Sequence, residues 1–256
     1  MYIDVKNISV EFKDKNKTQT VLDDISLEIE KGEFICILGF SGCGKSTLLN
    51  VMAGLLQPTK GEVIIDGKIV KNPTIKNVTI FQNYGLLPWR TVEKNVELGL
   101  ETQKMPKAER SKIAEKYIDM VGLTASKNKH PCQLSGGMQQ RVAIARALAV
   151  NPDVLFMDEP FGALDEITRM KLQEYISRIS QDTKTTVIFV THDIEEAIFL
   201  ADRVVVLDSN PGVIKSIINI KMPKHRDRTS SDFLYARDKI YEVFNMKTKD
   251  IVEYYI

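Results

Sequence analysis

Gly39-Phe40-Ser41-Gly42-Cys43-Gly44-Lys45-Ser46-Thr47 decides the reading of this chain. The spelling G-x-x-x-x-G-K-[ST] is that of a loop wrapped around a phosphate. Small residues let the backbone curl until several N–H groups point inward at an anion. Lys45 sets a positive charge against the outer phosphates, and Ser46 offers a hydroxyl to Mg²⁺. The flanks supply the setting. Phe34-Ile35-Cys36-Ile37-Leu38 is an apolar run of strand length, and Thr47-Leu48-Leu49-Asn50-Val51-Met52-Ala53 reads as a helix. Strand, loop and helix in that order bring the positive end of a helix to the bound anion. Residues 39–47 are therefore expected to bind nucleotide phosphates. Cys43, inside the loop, is expected to react with bulky thiol reagents unless ATP protects it.

At 256 residues the chain makes one large domain or two small ones, with enough length to bury a core. Its net charge is +1, with acids and bases interspersed. That is no footprint for nucleic acid and no polybasic anchor for a membrane. Cys36, Cys43 and Cys132 follow no metal-ligand spacing, which fits a reducing compartment. No apolar run approaches the ~20 residues that span a bilayer. Met1-Tyr2-Ile3-Asp4-Val5-Lys6 lacks the apolar stretch of a signal peptide. The expectation is a soluble cytoplasmic chain whose membrane role, if any, comes through a partner.

Working outward, residues 2–12 alternate as a half-buried strand, 13–20 read as a polar turn, and 21–30 as a second strand. Short strands are expected at 62–66 and 78–82. Then the character changes. Leu86-Leu87-Pro88-Trp89-Arg90 is an apolar loop, and helices are predicted over 91–101, 107–121 and 135–150. Strand pattern resumes at 153–158, 185–191 and 203–208. Helices are opened by Asp165 and Asp193 between them. The first of these helices is expected to carry Ile167, Met170, Ile176 and Ile179 on one side. A last helix begins near Asp232, with Phe233, Ile240 and Phe244 on one face. Apolar strands alternating with helices predict a mainly parallel sheet covered on both faces, interrupted by a helical insertion.

Two further stretches carry chemistry. Val154-Leu155-Phe156-Met157-Asp158-Glu159 is a buried strand ending in two acids, where ligands sit in open parallel sheets. Asp158 is placed to hold the Mg²⁺ shell and Glu159 to polarise a water for attack on the γ-phosphate. In Leu134-Ser135-Gly136-Gly137-Met138-Gln139-Gln140-Arg141, Ser135 is a good N-cap, and Gly136-Gly137 leaves N–H groups open at a helix start. One nucleotide has no need of two anion sites. A dimer does, if each chain's second site closes on its partner's ATP.

These stretches together resemble the nucleotide-binding subunits of ATP-binding cassette (ABC) transporters, over essentially the whole chain. The resemblance implies an α/β P-loop NTPase fold of RecA-like type: a mainly parallel sheet, an antiparallel β subdomain and an inserted α-helical subdomain. The core would be 1–86 and 151–208, the helical part about 87–150, and a C-terminal extension 209–256. It implies that ATP and Mg²⁺ are held by residues 39–47 with Asp158. Gln82 would join the Mg²⁺ shell and sense the permease. Phe12 would stack on adenine, with Val21 sharing the pocket. Glu159, His192 and Lys45 would be catalytic, His192 touching the γ-phosphate. Ser135, Gly136, Gly137, Met138, Gln139 and, from Phe161-Gly162-Ala163-Leu164-Asp165, Asp165 would act across a homodimer. Two permease subunits and an extracytoplasmic binding protein would complete the transporter, with no nucleic acid. The chain would sit at the cytoplasmic face of the membrane as a peripheral subunit.

Within that family the chain looks most like importers for nitrate, sulfonate, taurine and related substrates. The stretches that carry this likeness are Leu86-Leu87-Pro88-Trp89, Phe161-Gly162-Ala163-Leu164-Asp165, Pro211-Gly212-Val213-Ile214 and the tail from Arg226 to Tyr241. Subgroup members also import pyrimidine or flavin precursors, and the ATPase does not touch the cargo. Exporters, DNA-repair or translation ATPases and P-loop kinases are the rival readings. The last leaves the stretch from Leu134 unexplained, and the repair and translation relatives carry coiled coils or fused cassettes. Trp89 is expected either in the permease docking surface or in the core of the helical part.

Overall fold

The computed structural model describes residues 1–14, 17–224 and 226–245. The chain begins with two long antiparallel strands, β1 (Ile3–Asp14) and β2 (Lys17–Ile29), with Ile3 opposite Ile29 and Phe12 opposite Gln19. The turn expected over 13–20 is thus corrected. Lys13 pairs with Thr18 and Asp14 with Lys17, because backbone groups hold the ladder whatever the polarity of the side chains.

Next comes β3 (Phe34–Leu38), buried at every position, and α1 (Lys45–Met52). The strands β4 (Lys60–Ile65), β5 (Lys68–Ile69) and β6 (Asn77–Ile80) follow. Three helices stand between β6 and the next strand: α2 (Val92–Thr102), α3 (Lys107–Met120) and α4 (Gly136–Ala149). The order then alternates through β7 (Val154–Asp158), α5 (Glu166–Thr183), β8 (Thr186–Thr191), α6 (Ile194–Leu200) and β9 (Arg203–Asp208). The chain ends in β10 (Val213–Asn219) and α7 (Ser231–Val243). The eleven residues from Met246 onward, part of the expected extension, lie outside the described residues.

The strands form two sheets. One is antiparallel, in the order β2-β1-β4-β5; the other runs β10-β9-β3-β8-β7-β6 and is parallel except for β10. β10 was not anticipated. Its alternating burial, with one face open, gives too short a pattern to separate from the tail. Successive side chains of β3 face opposite ways. Ile35 and Ile37 pack with α1 and the antiparallel sheet, while Phe34, Cys36 and Leu38 pack with the helical elements. The two faces of the large sheet therefore seed two cores, and β3 feeds its loop between them.

The face expected on α5 is corrected too. Ile176 is buried with Leu172 and Gln173, whereas Ile167 is 68% exposed and Met170 also lies open. At 100° per residue, positions 167 and 176 fall on opposite sides.

Candidate functional site

β3 delivers the chain to residues 39–47 at the C-terminal edge of the sheet. Gly44 has φ 98°, and a Cβ there would meet Leu22 Cδ2 at 2.7 Å and the Val21 carbonyl at 3.2 Å. Only glycine permits this turn against β2. Lys45, 6% exposed, donates from Nζ to the carbonyls of Gly39 and Phe40 at 2.9 Å each. The ammonium thus holds the loop's two ends around itself. Gly42 stands at φ 81°, and Phe40, Ser41 and Ser46 are exposed around the loop mouth, with Thr47 half-buried at the helix start. Cys43 is buried beneath the loop, its Sγ filling the space where a Gly39 Cβ would stand. Burial pushes its thiol up in pKa, with Lys45 opposing. The expectation of a reactive Cys43 is corrected accordingly.

Across from the loop, Ser46 Oγ donates to Asp158 Oδ1 at 3.0 Å. Burial pushes the Asp158 carboxyl up, the Ser46 bond pulls it down, and the neighbouring Glu159 raises it again. A hydroxyl and a carboxylate in contact are the hard oxygen donors Mg²⁺ takes. No three His, Cys, Asp or Glu side chains cluster as a metal group among the described residues.

Glu159 follows β7 in a left-handed conformation, φ 45°, uncommon outside glycine. Its N–H donates to the Val190 carbonyl at 3.0 Å. The turn brings Glu159 Oε1 to 3.1 Å from His192 Nδ1, just past the end of β8. Gly39, Phe40, Ser41, Glu159, His192, Ile194 and Phe244 line a cavity of about 380 Å³ there. Two larger grooves, of about 610 and 680 Å³, lie against α7 and α5 and hold none of these groups. Phe244 is a wall that sequence reasoning missed. It was read only as a helix-face residue, yet its ring meets that of Phe40 edge-on at 5.0 Å between centroids. No local pattern in the tail reports which loop it reaches.

The other expected residues fall in three places. Phe12, 47% exposed on the β1–β2 ribbon, is not core, and half-buried Val21 abuts Gly44. Gln82 is exposed beyond the C-terminal end of β6, the strand beside β7. Ser135 caps α4, its Oγ accepting from the Met138 N–H at 3.3 Å, and Gly136 is exposed beside it. Gly137 is pressed on the loop at 161–165, where a Cβ would come 2.9 Å from the Ala163 carbonyl. Gln139 donates to the carbonyls of Pro131 and Leu134 in its own chain, and Met138 is half-buried against the core. Asp165 caps α5 through the Thr168 N–H at 3.0 Å, which holds its carboxyl below the usual range. Trp89 is 73% exposed and so is not core. Its loop is locked by buried Asn95, whose Oδ1 accepts from Leu87 N at 2.8 Å and whose Nδ2 donates to the carbonyls of Leu87, Arg90 and Thr91.

A glycine-walled loop at a helix start, with an acid pair at the end of β7, the next strand but one in the sheet, defines a P-loop nucleotide-binding ATPase. Residues 22–162 match the family model described as ABC transporter. The chain belongs to the ABC transporter family and is an ATP-binding ATPase of it. It is 46% identical over 245 residues to the bicarbonate transport ATP-binding protein CmpD of Synechocystis, covering 94% of this chain and 87% of that one. Similarity is also high to the nitrate import ATP-binding protein NrtD of Synechococcus elongatus: 45% identity, 84% and 81% covered. The aliphatic sulfonates import ATP-binding protein SsuB of Bacillus cereus is 44% identical, with 95% and 96% covered. Among known structures, the dimeric ATP-binding cassette MJ0796, bound to ADP and Pi after hydrolysis, superposes with TM-score 0.80. It is 35% identical and aligns with 86% of this chain and all of that one. Among the described residues no helix is long and apolar enough to cross a membrane.

Proposed function

We propose that two copies of this chain sandwich two ATP molecules and energise import of a small substrate of the nitrate, sulfonate and taurine class. The contact that carries the catalytic reading is Glu159 against His192, opening on the cavity beside the loop. Loop N–H groups and Lys45 bind the phosphates, and Phe12 with Val21 receives the adenine. Ser46, Asp158 and Gln82 would hold Mg²⁺, which supplies charge neutralisation between the phosphates. Glu159 takes the proton of the attacking water, and His192 orients that carboxylate and touches the γ-phosphate. Ser135, Gly136, Gly137, Met138, Gln139 and Asp165 face the partner's nucleotide. The core is 1–86 with 151–208, the helical subdomain about 87–150, and the extension begins at 209. The chain lies peripherally on the cytoplasmic face of the membrane.

Two permease subunits dock on residues 86–90, where Trp89, Pro88 and the half-buried Leu86 and Leu87 offer apolar surface on a loop that Asn95 holds rigid. An extracytoplasmic binding protein delivers cargo. The import relatives, whose names cite nitrate, bicarbonate and sulfonates, support a small-anion cargo. The test is ATPase activity of the transporter assembled in vesicles. Binding protein loaded with nitrate, an alkanesulfonate or taurine should stimulate turnover. Stimulation by none of the three removes the cargo class.

A further inference from the structure

The turn that presents His192 is not held by its own backbone alone. Behind it lies Glu196, 6% exposed, on α6. Glu196 Oε2 accepts from Thr191 Oγ1 at 2.8 Å, and the same hydroxyl accepts from the Asp193 N–H at 3.0 Å. Asp193 Oδ1 in turn caps α6 through the N–H groups of Glu195 and Glu196. Two hydrogen bonds, one of them buried, thus converge on the residue immediately before His192.

Glu196 Oε1 looks the other way, towards α5. It accepts from Gln173 Nε2 at 3.1 Å, and Gln173 is wholly buried. The amide cannot turn round, because its Oε1 accepts from Arg228 Nη2 at 2.5 Å. The next cation is Arg169, whose Nε stands 3.9 Å from Glu196 Oε1. Arg169 Nη2 donates to the Leu164 carbonyl, in the loop at 161–165, at 3.2 Å. Its buried Nε has no hydrogen-bond partner among the described residues. A buried donor within ion-pair range of a carboxylate, yet beyond hydrogen-bond range, is a link that a small movement of Leu164 tightens or releases.

We infer that Glu196 is a positioning residue that ties the loop at 161–165 to His192, through Arg169 on one side and Thr191 on the other. The inference rests on the role proposed for His192. That loop packs on Gly137, the second anion site, so the relay joins the face offered to a second copy with the group offered to the γ-phosphate. A carboxylate suits the position because it accepts two hydrogen bonds, from the Thr191 hydroxyl and the Gln173 amide, while its charge faces the Arg169 guanidinium. Charge at Glu196 is needed only for the Arg169 link, and the Thr191 link needs only an acceptor.

The test uses the full chain. Glu196→Gln, Thr191→Val and Thr191→Ser are made alone and combined with His192→Ala. Turnover and KM are measured with radiolabelled ATP, beside the thermal midpoint. Glu196→Gln and Thr191→Val should lower kcat by about 3- to 30-fold, the span of couplings of this kind, with KM changed less than about 2-fold. Thr191→Ser, which keeps the hydroxyl, should restore kcat. In the His192→Ala background Glu196→Gln should cause no further loss, because there is no imidazole left to position. The same fold-loss in both backgrounds, or a loss of kcat that follows the thermal midpoint and is not restored by serine, overturns the relay alone. Wild-type turnover in His192→Ala removes the proposed site, and the relay with it.

Discussion

Cys43 sits in a loop whose spelling advertises exposure, yet its sulfur points under the loop into the space left by Gly39. The motif fixes which residues wrap a phosphate. It does not say which side chain turns inward, because that depends on Leu207 and Gly39 meeting across the sheet edge. Burial raises the Cys43 thiol and that of Cys36, while Cys132 is exposed. Thiolate is the nucleophile, and access limits its attack. Iodoacetamide at neutral pH should therefore label Cys132 in the native chain and reach Cys36 and Cys43 only in denaturant, as read by peptide mass spectrometry. Labelling of Cys43 at the rate of Cys132 would reverse this assignment. Glu159 is the opposite case. Its place beside the loop was legible from an acid pair after an apolar run, but its left-handed backbone was not, since nothing local asks a glutamate to adopt φ 45°. The Val190 carbonyl, in a strand distant in sequence, holds it there.

Elements were legible where period and caps agreed. Thr91, Ser135, Asp165 and Ser230 each accept a backbone N–H at a helix start, and the helices expected behind them are present. Faces were less legible, as the misjudged side of α5 shows, because partners on other elements decide which of two apolar stripes is covered. In α2, Glu97 is fully buried yet ionisable, a feature hydropathy alone would reject. Burial works to raise its carboxyl, but hydrogen bonds from Lys94 and Ser111 and the charge of Arg110 outweigh it and hold the value below normal. A depressed folded pKa stabilises fully above the unfolded value, near pH 4.3, and the effect fades as pH falls through the folded value. Glu97→Gln should thus cost about 1–3 kcal/mol at neutral pH, and the gap to wild type should narrow below about pH 4. Thermal melts of both chains across that range decide it; a gap independent of pH would remove the charge from the account. In the loop before α2, Trp89, the single tryptophan, should emit red-shifted, acrylamide-quenchable fluorescence in the free subunit. Trp89→Ala should leave the isolated ATPase intact and weaken permease assembly by about 2 kcal/mol or more. Unchanged assembly would move the docking surface elsewhere.

At the scale of the whole molecule, the proposed sandwich gives one chain two anion sites, each only half of what hydrolysis would need. The loop at 39–47 gathers Lys45, Ser46, Asp158, Glu159 and His192. The start of α4, a fourteen-residue helix capped by Ser135, carries no acid in its first turn. A helix start of this kind favours an anion, which in the proposed sandwich is the partner's ATP. The relative MJ0796 is dimeric. If a second copy supplies that anion as ATP, blocking hydrolysis should trap the pair. Glu159→Gln keeps size and hydrogen bonding but removes the proposed base, so turnover should fall by about 10²- to 10⁴-fold while ATP still binds. With ATP consumed that slowly, gel filtration of Glu159→Gln should show a dimer with ATP and a monomer without it. Adding Ser135→Arg places bulk and removes the cap at the far anion site, without touching the loop at 39–47. The double variant should bind ATP as a monomer, with nucleotide affinity within a few-fold of a lone chain. A dimer that survives Ser135→Arg would mean the copies meet through another face, and an ATP-loaded Glu159→Gln that stays monomeric would remove the sandwich itself.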